Sequence, residues 1–294
     1  MKSNLSIVIP IYNEEKNLGI TIPEIIDFCK TNNYKLILVN DGSKDNSKTI
    51  LKNYENLENI KIYHHKLNKG YGAAIKTGIS VCDTKYIITI DADGQHYLED
   101  VEKLYLKILE TDADMIIGSR KGSKSSSLSR GIGKTIIRTV AKMLMKVPVY
   151  DINSGMKIYN TELAKNYLSL TPNTMSYSDI IALIFINNQH LVIEEPIKIK
   201  ERLAGKSTIS IETAFQTLME IINIVILFNP LKIFIPLSII SIIASLIHGI
   251  PILIAGRGLS VGSLLGLVAG ILFFLLGLIA EQLSWLRKSS AKNL

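Results

Sequence analysis

Cysteine is scarce in this chain of 294 residues, where only Cys29 and Cys82 occur. Two thiols cannot form a disulfide framework, so the small disulfide-rich class is excluded. The ligand spacing of zinc-binding domains and the aromatic signature of RNA-binding domains are missing too. We therefore expect no nucleic-acid partner, although the net charge is +7. Abundant Ile, Leu and Val exclude intrinsic disorder.

Charge is scarce at the end of the chain, where residues 208–294 hold 8 of the 59 charged residues. Ile233–Ile254 and Gly258–Ala280 contain no Asp, Glu, Lys or Arg, and each is long enough to cross about 30 Å of hydrocarbon. They predict a transmembrane hairpin over 230–294, with spans at about 233–254 and 258–280. The polar stripe along Ile209–Phe228 predicts an interfacial helix over 208–229, with an amphipathic core helix as the alternative.

Basic residues outside the spans predict the orientation of this hairpin. The loop between the spans carries only Arg257, whereas four basic residues flank the hairpin: Lys232, Arg287, Lys288 and Lys292. By the positive-inside rule, both ends should lie in the cytoplasm. Met1–Asn4 leads directly into a strand-like run and does not read as a signal peptide. We expect an integral membrane protein with a cytoplasmic domain over 1–207, and a hairpin this short could pack against copies of itself.

Strand-like and helix-like segments alternate in the first half of the chain. The strands are expected at Leu5–Ile11, Tyr34–Asn40, Ile60–His64, Tyr86–Asp91 and Asp114–Gly118, and the helices near Glu15–Lys30, Asp45–Tyr54, Tyr71–Val81 and Leu98–Glu110. The strands are almost continuously apolar, as expected when both faces are buried. This alternation predicts an α/β fold with a mostly parallel sheet flanked by helices, and a ligand site beyond the carboxyl ends of the strands.

Acidic residues are absent between Asp114 and Asp151, although eight basic residues lie there. A solvated face is the ordinary explanation of such a run. Beside a membrane segment, however, one-sided charge favours contact with anionic lipid headgroups or phosphates. Within this stretch, Lys121–Ser129 is rich in Ser and Lys and predicts a mobile loop.

Two carboxylates at the end of a buried strand are the sharpest local signal, in the segment Asp91-Ala92-Asp93-Gly94-Gln95. Such a pair is costly unless it is neutralised. A Mg²⁺ or Mn²⁺ ion that bridges a diphosphate would neutralise it. Asp41 ends the second strand, where a turn and a contact to a nucleoside are both open. The segment Lys69-Gly70-Tyr71-Gly72 could approach a diphosphate through backbone amides, although it is neither a Walker nor a dinucleotide motif.

Taken together, these segments resemble family 2 glycosyltransferases of the GT-A fold, which is Rossmann-like. The segments that carry the resemblance are Ile7–Glu15, Val39–Ser43, Asn68–Ala74 and Asp91–His96. Three more make it similar to the dolichyl- or polyprenyl-phosphate sugar synthases, the dolichol-phosphate mannose synthase type: Gly118–Arg120, Asp151–Tyr159 and Glu201–Ser207. The resemblance spans about residues 5–208, and the hairpin fits bacterial and archaeal members.

The resemblance implies roles for individual residues. Asp93, Arg120 and Arg202 are the implied catalytic residues. The metal, Mg²⁺ or Mn²⁺, is assigned to Asp91, Asp93 and Gln95, and the acceptor phosphate to Arg120, Arg130, Arg202 and Ser207. The donor nucleotide is assigned to Pro10, Tyr12, Asn13, Glu14, Asp41, Lys69, Gly70, Asp91 and Ala92. Two departures are Met156-Lys157, where the family commonly has an aromatic residue and an arginine, and Lys206, which precedes the serine instead of following it.

The implied reaction transfers a sugar, with inversion, from a UDP- or GDP-linked donor to a polyprenyl phosphate, either undecaprenyl or dolichyl. A lipid monophosphate has a second pKa of about 6 and is largely ionised at neutral pH, so no general base is required. Two alternatives remain open: transfer to a lipid hydroxyl, which makes a glycosyl-diacylglycerol, and a non-catalytic nucleotide-sugar-binding module anchored in the membrane. A processive polysaccharide synthase is disfavoured because two spans are few and its Gln-X-X-Arg-Trp pattern is missing. For a flipped product, a flippase and a later glycosyltransferase would be the pathway partners.

Overall fold

The computed structural model describes residues 3–120, 148–200, 219, 222–223 and 226–292. The described residues up to 200 form one compact unit, and those from 219 onward belong to another. Several predicted features lie outside the described residues or at their limits: most of the interfacial helix, the Lys121–Ser129 loop, and the boundaries near 207 and 229. They therefore stay predictions.

A seven-stranded sheet forms the centre of the first unit. Its strands are β1 (Leu5–Ile11), β2 (Lys35–Asn40), β3 (Ile60–His64), β4 (Tyr86–Thr89), β5 (Met115–Ser119), β6 (Lys157–Asn160) and β7 (Val192–Pro196). The order across the sheet is β3-β2-β1-β4-β6-β5-β7. Only β6 runs antiparallel to its neighbours. The expected α/β fold with a mostly parallel sheet is confirmed.

Helices flank this sheet because apolar side chains cover both of its faces. They are α1 (Glu15–Asn32), α2 (Ser47–Lys52), α3 (Tyr71–Ser80), α4 (Leu98–Thr111), α5 (Thr161–Tyr167) and α6 (Tyr177–Asn187). All seven residues of β1 are buried, as two-sided packing requires. A Cβ at Gly78 would collide with the side chain of Val8, so glycine at this position lets α3 lie close against β1.

The second unit contains the hairpin of α7 (Leu231–Ile254) and α8 (Val261–Lys292). Both helices are long and apolar enough to cross a membrane, and only 11% of the most apolar window of each is buried within the protein. Core helices of a soluble protein would be mostly buried, so these two fit a lipid environment. Serine hydroxyls join them: Ser238 Oγ donates to Gly270 O at 2.7 Å, and Ser241 Oγ donates to Gly266 O at 2.8 Å. Small residues that allow close approach are typical of membrane helix pairs.

Candidate active site

The carboxyl ends of β1 and β2 are joined by side-chain hydrogen bonds. Asn13 has a left-handed backbone, with φ of 55°, and its N–H donates to Ser43 Oγ at 3.0 Å. Its side-chain oxygen accepts from the amide of Lys44 at 2.8 Å. One residue later, the amide of Glu14 donates to Ser47 Oγ at 3.1 Å. The two segments expected to hold the nucleoside therefore form one rigid edge.

Three of the residues expected at the nucleoside differ in their exposure on this edge. Tyr12 leaves 41% of its surface exposed, so its ring is open to a planar ligand. Pro10 is buried within β1, paired with Val39 of β2. The carboxylate of Glu14 accepts from Asn17 Nδ2 at 2.7 Å, which turns it towards the start of α1.

Asp41 uses both of its carboxylate oxygens within the protein. Oδ1 lies 2.6 Å from His65 Nδ1 and accepts from the amide of Lys69 at 2.9 Å. Oδ2 accepts from the amide of Gly70 at 2.8 Å. Thr77 Oγ1 lies 2.9 Å from the other ring nitrogen of His65 and fixes the ring. Since Asp41 is 2% exposed, it holds the segment that follows β3 in place, and the amides of Lys69 and Gly70 are already used by its carboxylate.

The glycines of the Lys69–Gly72 segment allow another loop to approach closely. Gly70 has a φ of 100°, and a Cβ on it would collide with Asn173 O. A Cβ on Gly72 would collide with Pro172 O. This close packing places the side chain of Tyr71 against the end of β4, where its hydroxyl donates to Asp91 Oδ1 at 2.9 Å.

Asp91 is held on several sides yet keeps an open face. Besides Tyr71, the ring of His96 lies beside it, with Nε2 3.6 Å from Oδ2. Desolvation would raise the pKa of Asp91, but His96, Tyr71 and the charge of Arg120 outweigh it and hold the pKa below the ordinary aspartate value. The side chain remains 36% exposed. Asp91 is therefore an ionised carboxylate that is fixed in place and reachable by a ligand.

Asp93 and Gln95 lie beside Asp91 on the same turn, and Asp93 is 7% exposed. Oδ1 of Asp93 accepts from the amide of Gln95 at 3.1 Å. Gln95 Nε2 is directed to Lys200 O at 3.4 Å, which leaves Oε1 as the free end of the amide in this assignment. Among the described residues, no three His, Cys, Asp or Glu side chains could hold a metal by themselves. A metal at Asp91 and Asp93 would therefore need further oxygen ligands.

Arg120 directly follows β5 and forms a forked ion pair with Asp151. Its Nε lies 2.6 Å from Oδ2 of Asp151, and its Nη2 lies 2.7 Å from Oδ1. Nη2 also donates to Asn153 Oδ1 at 2.8 Å. Burial would raise the pKa of Asp151, but Arg120 outweighs it and lowers that pKa. The expected acceptor-side arginine is thus held in one orientation by a carboxylate.

The residues that hold Asp151 were not found from the sequence. The carboxylate of Glu194, on β7, accepts from the amides of Tyr150 and Asp151 at 2.9 and 3.0 Å. We call residues 151–155 the DINSG loop. Thr89 Oγ1 donates to Gly155 O at 2.8 Å at the far end of this loop. The loop is thereby fastened at both ends, between Arg120 and the end of β4.

Gly155 offers a direct test of how closely the loop must approach Asp91. A Cβ at this position would collide with the Asp91 carboxylate, whereas the backbone of Gly155 is not in the left-handed region. Gly155→Ala should therefore displace Asp91 and lower the transfer activity that the resemblance implies by about ten-fold or more, while the thermal unfolding midpoint changes by only a few degrees. The control is Gly19→Ala in α1, where a Cβ meets nothing within 4 Å. Equal activity of both variants would show that Asp91 tolerates displacement.

Arg130, Arg202 and Ser207 lie outside the described residues, so their assignment stays a prediction. Lys200 is the last described residue before Arg202 in the sequence, and its amide donates to Gln95 O at 2.8 Å. An isolated bridge between His96 and Ile199 strengthens this pairing. The chain segment that leads to Arg202 is therefore fastened to the turn that carries Asp93.

Comparison with protein families gives two matches. The model described as glycosyl transferase family 2 matches residues 6–168. The model described as the GtrB C-terminal hairpin matches residues 229–286. The two matches cover the sheet unit up to α5 and the apolar hairpin.

Two curated relatives are similar over much of the chain. Undecaprenyl-phosphate 4-deoxy-4-formamido-L-arabinose transferase of Photorhabdus laumondii is 30% identical over 247 residues, which cover 83% of this chain and 72% of that protein. UDP-N-acetylglucosamine–dolichyl-phosphate N-acetylglucosaminyltransferase of Methanococcus voltae is 31% identical over 180 residues, which cover 54% of this chain and 70% of that protein. Both names describe transfer to a polyprenyl phosphate.

Solved structures share the fold at low identity. Glucosyl-3-phosphoglycerate synthase from Mycobacterium tuberculosis, in complex with Mn²⁺, UDP-glucose and phosphoglyceric acid, aligns with a TM-score of 0.56 and 15% identity, covering 76% of this chain and 79% of that one. S. aureus TarS 1–349 in complex with UDP aligns with a TM-score of 0.53 and 20% identity, and the match spans 76% of this chain and 65% of that one. At these identities the likeness shows the fold alone, which is the expected GT-A fold.

Proposed function

This chain belongs to glycosyl transferase family 2, and we propose that it transfers a sugar from a nucleotide-sugar donor to a polyprenyl phosphate. The observation that carries the proposal is that a negatively charged group and a positively charged group lie on either side of the DINSG loop. The ionised, accessible Asp91 lies on one side, and the fixed guanidinium of Arg120 lies on the other. A reaction between two anionic substrates needs both kinds of centre. The relatives that act on undecaprenyl and dolichyl phosphate support the same acceptor class.

The donor set at the end of β4 fits a divalent cation. Asp91 and Asp93 offer carboxylate oxygens and Gln95 offers an amide oxygen, which are the ligands that Mg²⁺ and Mn²⁺ prefer. Because the residues that the structure describes supply few ligands there, the diphosphate of the donor would complete the set. When bound, the ion would offset charge on the leaving diphosphate. The relative solved with Mn²⁺ is consistent with this use of a metal.

The donor nucleoside fits the edge formed by the ends of β1 and β2. The exposed ring of Tyr12 offers a face for the base, and Asp41 fixes the backbone that follows β3. The exposed side chain of Lys69 lies near the same edge and supplies positive charge for the diphosphate. The donor class is a UDP- or GDP-linked sugar.

The reaction we propose is a direct displacement at the anomeric carbon. An oxygen of the lipid phosphate forms the new bond to this carbon, and the bond to the nucleoside diphosphate breaks with its electron pair, which inverts the configuration. The attacking phosphate is already ionised, so no proton must be removed. Arg120 would reduce repulsion between the two anions and orient the acceptor phosphate, with Arg130, Arg202 and Ser207 completing the acceptor site.

The apolar hairpin would bring the site to its lipid substrate. The basic residues that flank α7 and α8 favour placing the sheet unit and both chain ends on the cytoplasmic side. Membrane lipids would surround the hairpin, which could also pair with copies of itself. If the product is flipped across the membrane, a flippase and a later glycosyltransferase would use it.

The test is an acceptor panel with the full-length protein in lipid vesicles. UDP- and GDP-linked sugars are supplied with Mg²⁺ or Mn²⁺, and with polyprenyl phosphate, diacylglycerol or no added acceptor. We expect a polyprenyl-phosphate sugar, identified by mass, that forms only with the phosphate acceptor and disappears with a chelator. Transfer to diacylglycerol instead would favour the lipid-hydroxyl alternative. Nucleotide-sugar binding with neither transfer nor hydrolysis would favour the non-catalytic module.

A further inference from the structure

Strand β6 begins with a lysine that is completely inside the protein. Lys157 is 1% exposed and lies between β4 and β5 in the middle of the sheet. Lysine is almost never fully buried unless it is paired. Its ammonium donates to Ser154 O and to Ser178 Oγ. Ser178 Oγ in turn donates to Ser154 O at 2.6 Å, so two groups, the ammonium and this hydroxyl, hold one carbonyl of the DINSG loop.

The charges that face Lys157 come from four different parts of the sheet unit. Asp179 lies on α6, Asp151 on the DINSG loop, Asp91 after β4, and Arg120 directly after β5. Burial lowers the pKa of Lys157 to about 8, while the three aspartates favour its charged form and Arg120 opposes it. The ammonium is thus the buried counter-charge shared by carboxylates from both sides of the candidate site.

The carbonyl that Lys157 holds lies between the two centres of the proposed reaction. Upstream of Ser154 in the DINSG loop, Asp151 and Asn153 bind the guanidinium of Arg120. Downstream, Gly155 lies so close to Asp91 that a Cβ on it would collide with the carboxylate. Movement of Ser154 would therefore change the separation between Arg120 and Asp91. A shift of about 1 Å between reacting groups can cost about a hundred-fold in rate.

We propose that Lys157 is a positioning residue, whose buried ammonium fixes the DINSG loop and thereby sets the placement of Arg120 relative to Asp91. The inference rests on the proposed function, because Arg120 and Asp91 are taken as the acceptor and donor sides of one reaction. Lys157 is 1% exposed, so its side chain would not contact either substrate. Its role is to keep Arg120 and Asp91 at a fixed separation and to balance the negative charge of the nearby carboxylates.

The experiment compares Lys157→Arg, which stays charged at all working pH values, with Lys157→Met, which is neutral and of similar length. Lys165→Met is the control, because Lys165 Nζ also donates to a backbone carbonyl, Cys82 O, but is exposed. Each full-length variant in vesicles is measured for unfolding midpoint, for binding of a nucleoside diphosphate with Mn²⁺, and for kcat and KM between pH 6 and 10.

We expect kcat of the wild type to fall on the alkaline side with a midpoint near 8, where Lys157 loses its proton. Lys157→Arg should lose this alkaline fall, and Lys157→Met should show at least a ten-fold lower kcat across the range. Lys165→Met should match the wild type. An unchanged alkaline fall in Lys157→Arg, or wild-type kcat in Lys157→Met, would overturn the positioning role.

Ser178→Ala covers the case in which Lys157→Met does not fold. This change keeps the buried charge but removes one of the two groups that the ammonium binds. We expect a several-fold lower kcat with the alkaline fall retained, and wild-type kcat would contradict the proposal.

If the wild type transfers nothing to polyprenyl phosphate, the proposed function fails. Nucleoside-diphosphate binding then decides the role of Lys157: it should weaken near pH 8 in the wild type but not in Lys157→Arg, and identical pH profiles would overturn it.

Discussion

Replacing Asp93 with alanine is expected to abolish sugar transfer while the protein stays folded. The carboxylate is 7% exposed, and it accepts a hydrogen bond from the amide of Gln95. Losing a hydrogen bond of this kind costs about 1 kcal/mol of unfolding free energy. Asp93 would also be a ligand of the metal that stabilises the leaving diphosphate. Losing this ligand removes several kcal/mol of transition-state stabilisation, which lowers the rate about a thousand-fold. Activity should therefore fall far more than stability.

Two further substitutions separate charge from structure at Asp93. Asp93→Asn keeps an oxygen that can accept from Gln95 but removes the negative charge, so it should be nearly as inactive as Asp93→Ala. Asp83→Ala is the matched control, because Asp83 forms an exposed pair with Lys35 at 2.8 Å. Exposed pairs of this kind contribute about 0–1 kcal/mol, so transfer should be unchanged. Wild-type transfer activity in Asp93→Asn would contradict the assignment of Asp93 as a metal ligand.

The elements with strong local patterns could be predicted from the sequence. Strands β1 and β3 begin and end where the apolar runs do, and α3 and α4 agree with the expected segments to within one residue. The polar residues at the ends of β2 and β4 were placed correctly at one edge of the sheet, since parallel strands bring their carboxyl ends together. Local hydrophobic pattern was sufficient for this part of the fold.

Strand β6 shows why other parts of the fold could not be predicted from the local sequence pattern. It has four residues, runs antiparallel between β4 and β5, and starts with a buried lysine. A charged residue predicts exposure, so the pattern points away from the centre of a sheet. Its burial depends on Ser178 and on carboxylates far away in sequence. Tertiary contacts thus override the local signal.

Partners of the site residues were hidden for a similar reason. The sequence indicated Asp41 and Asp91 as ligand-binding carboxylates, but not the groups that hold them. His65 binds Asp41 from 24 positions away, and Tyr71 binds Asp91 from 20 positions away. Histidine and tyrosine at these positions carry no local pattern, because their role depends on how the loops after β3 and β4 meet.

Neutralising Arg120 is the second substitution with a large expected effect. Arg120→Gln leaves the carboxylate of Asp151, whose side chain is 10% exposed, without its forked partner. Removing one partner of a buried ion pair costs about 3–5 kcal/mol. The charge of Lys157 would offset part of this loss, but the unfolding midpoint should still drop clearly. In the wild type the pair lowers the pKa of Asp151, so its stabilisation is present above the ordinary aspartate pKa and is lost as the pH falls towards the lowered value.

The double change Arg120→Gln/Asp151→Asn separates this structural effect from the reaction. Both charges are removed together, so no carboxylate is left unpaired, and the two amides can still hydrogen-bond. We expect most of the lost stability to return and the acid sensitivity of the pair to disappear. Transfer to polyprenyl phosphate should stay at least about a hundred-fold below wild type, because a neutral amide cannot orient and offset an anionic acceptor. Nucleoside-diphosphate binding should remain within a few-fold. Near-wild-type transfer by the double variant would mean that Arg120 only fastens the DINSG loop, and the acceptor phosphate would then have to be bound elsewhere.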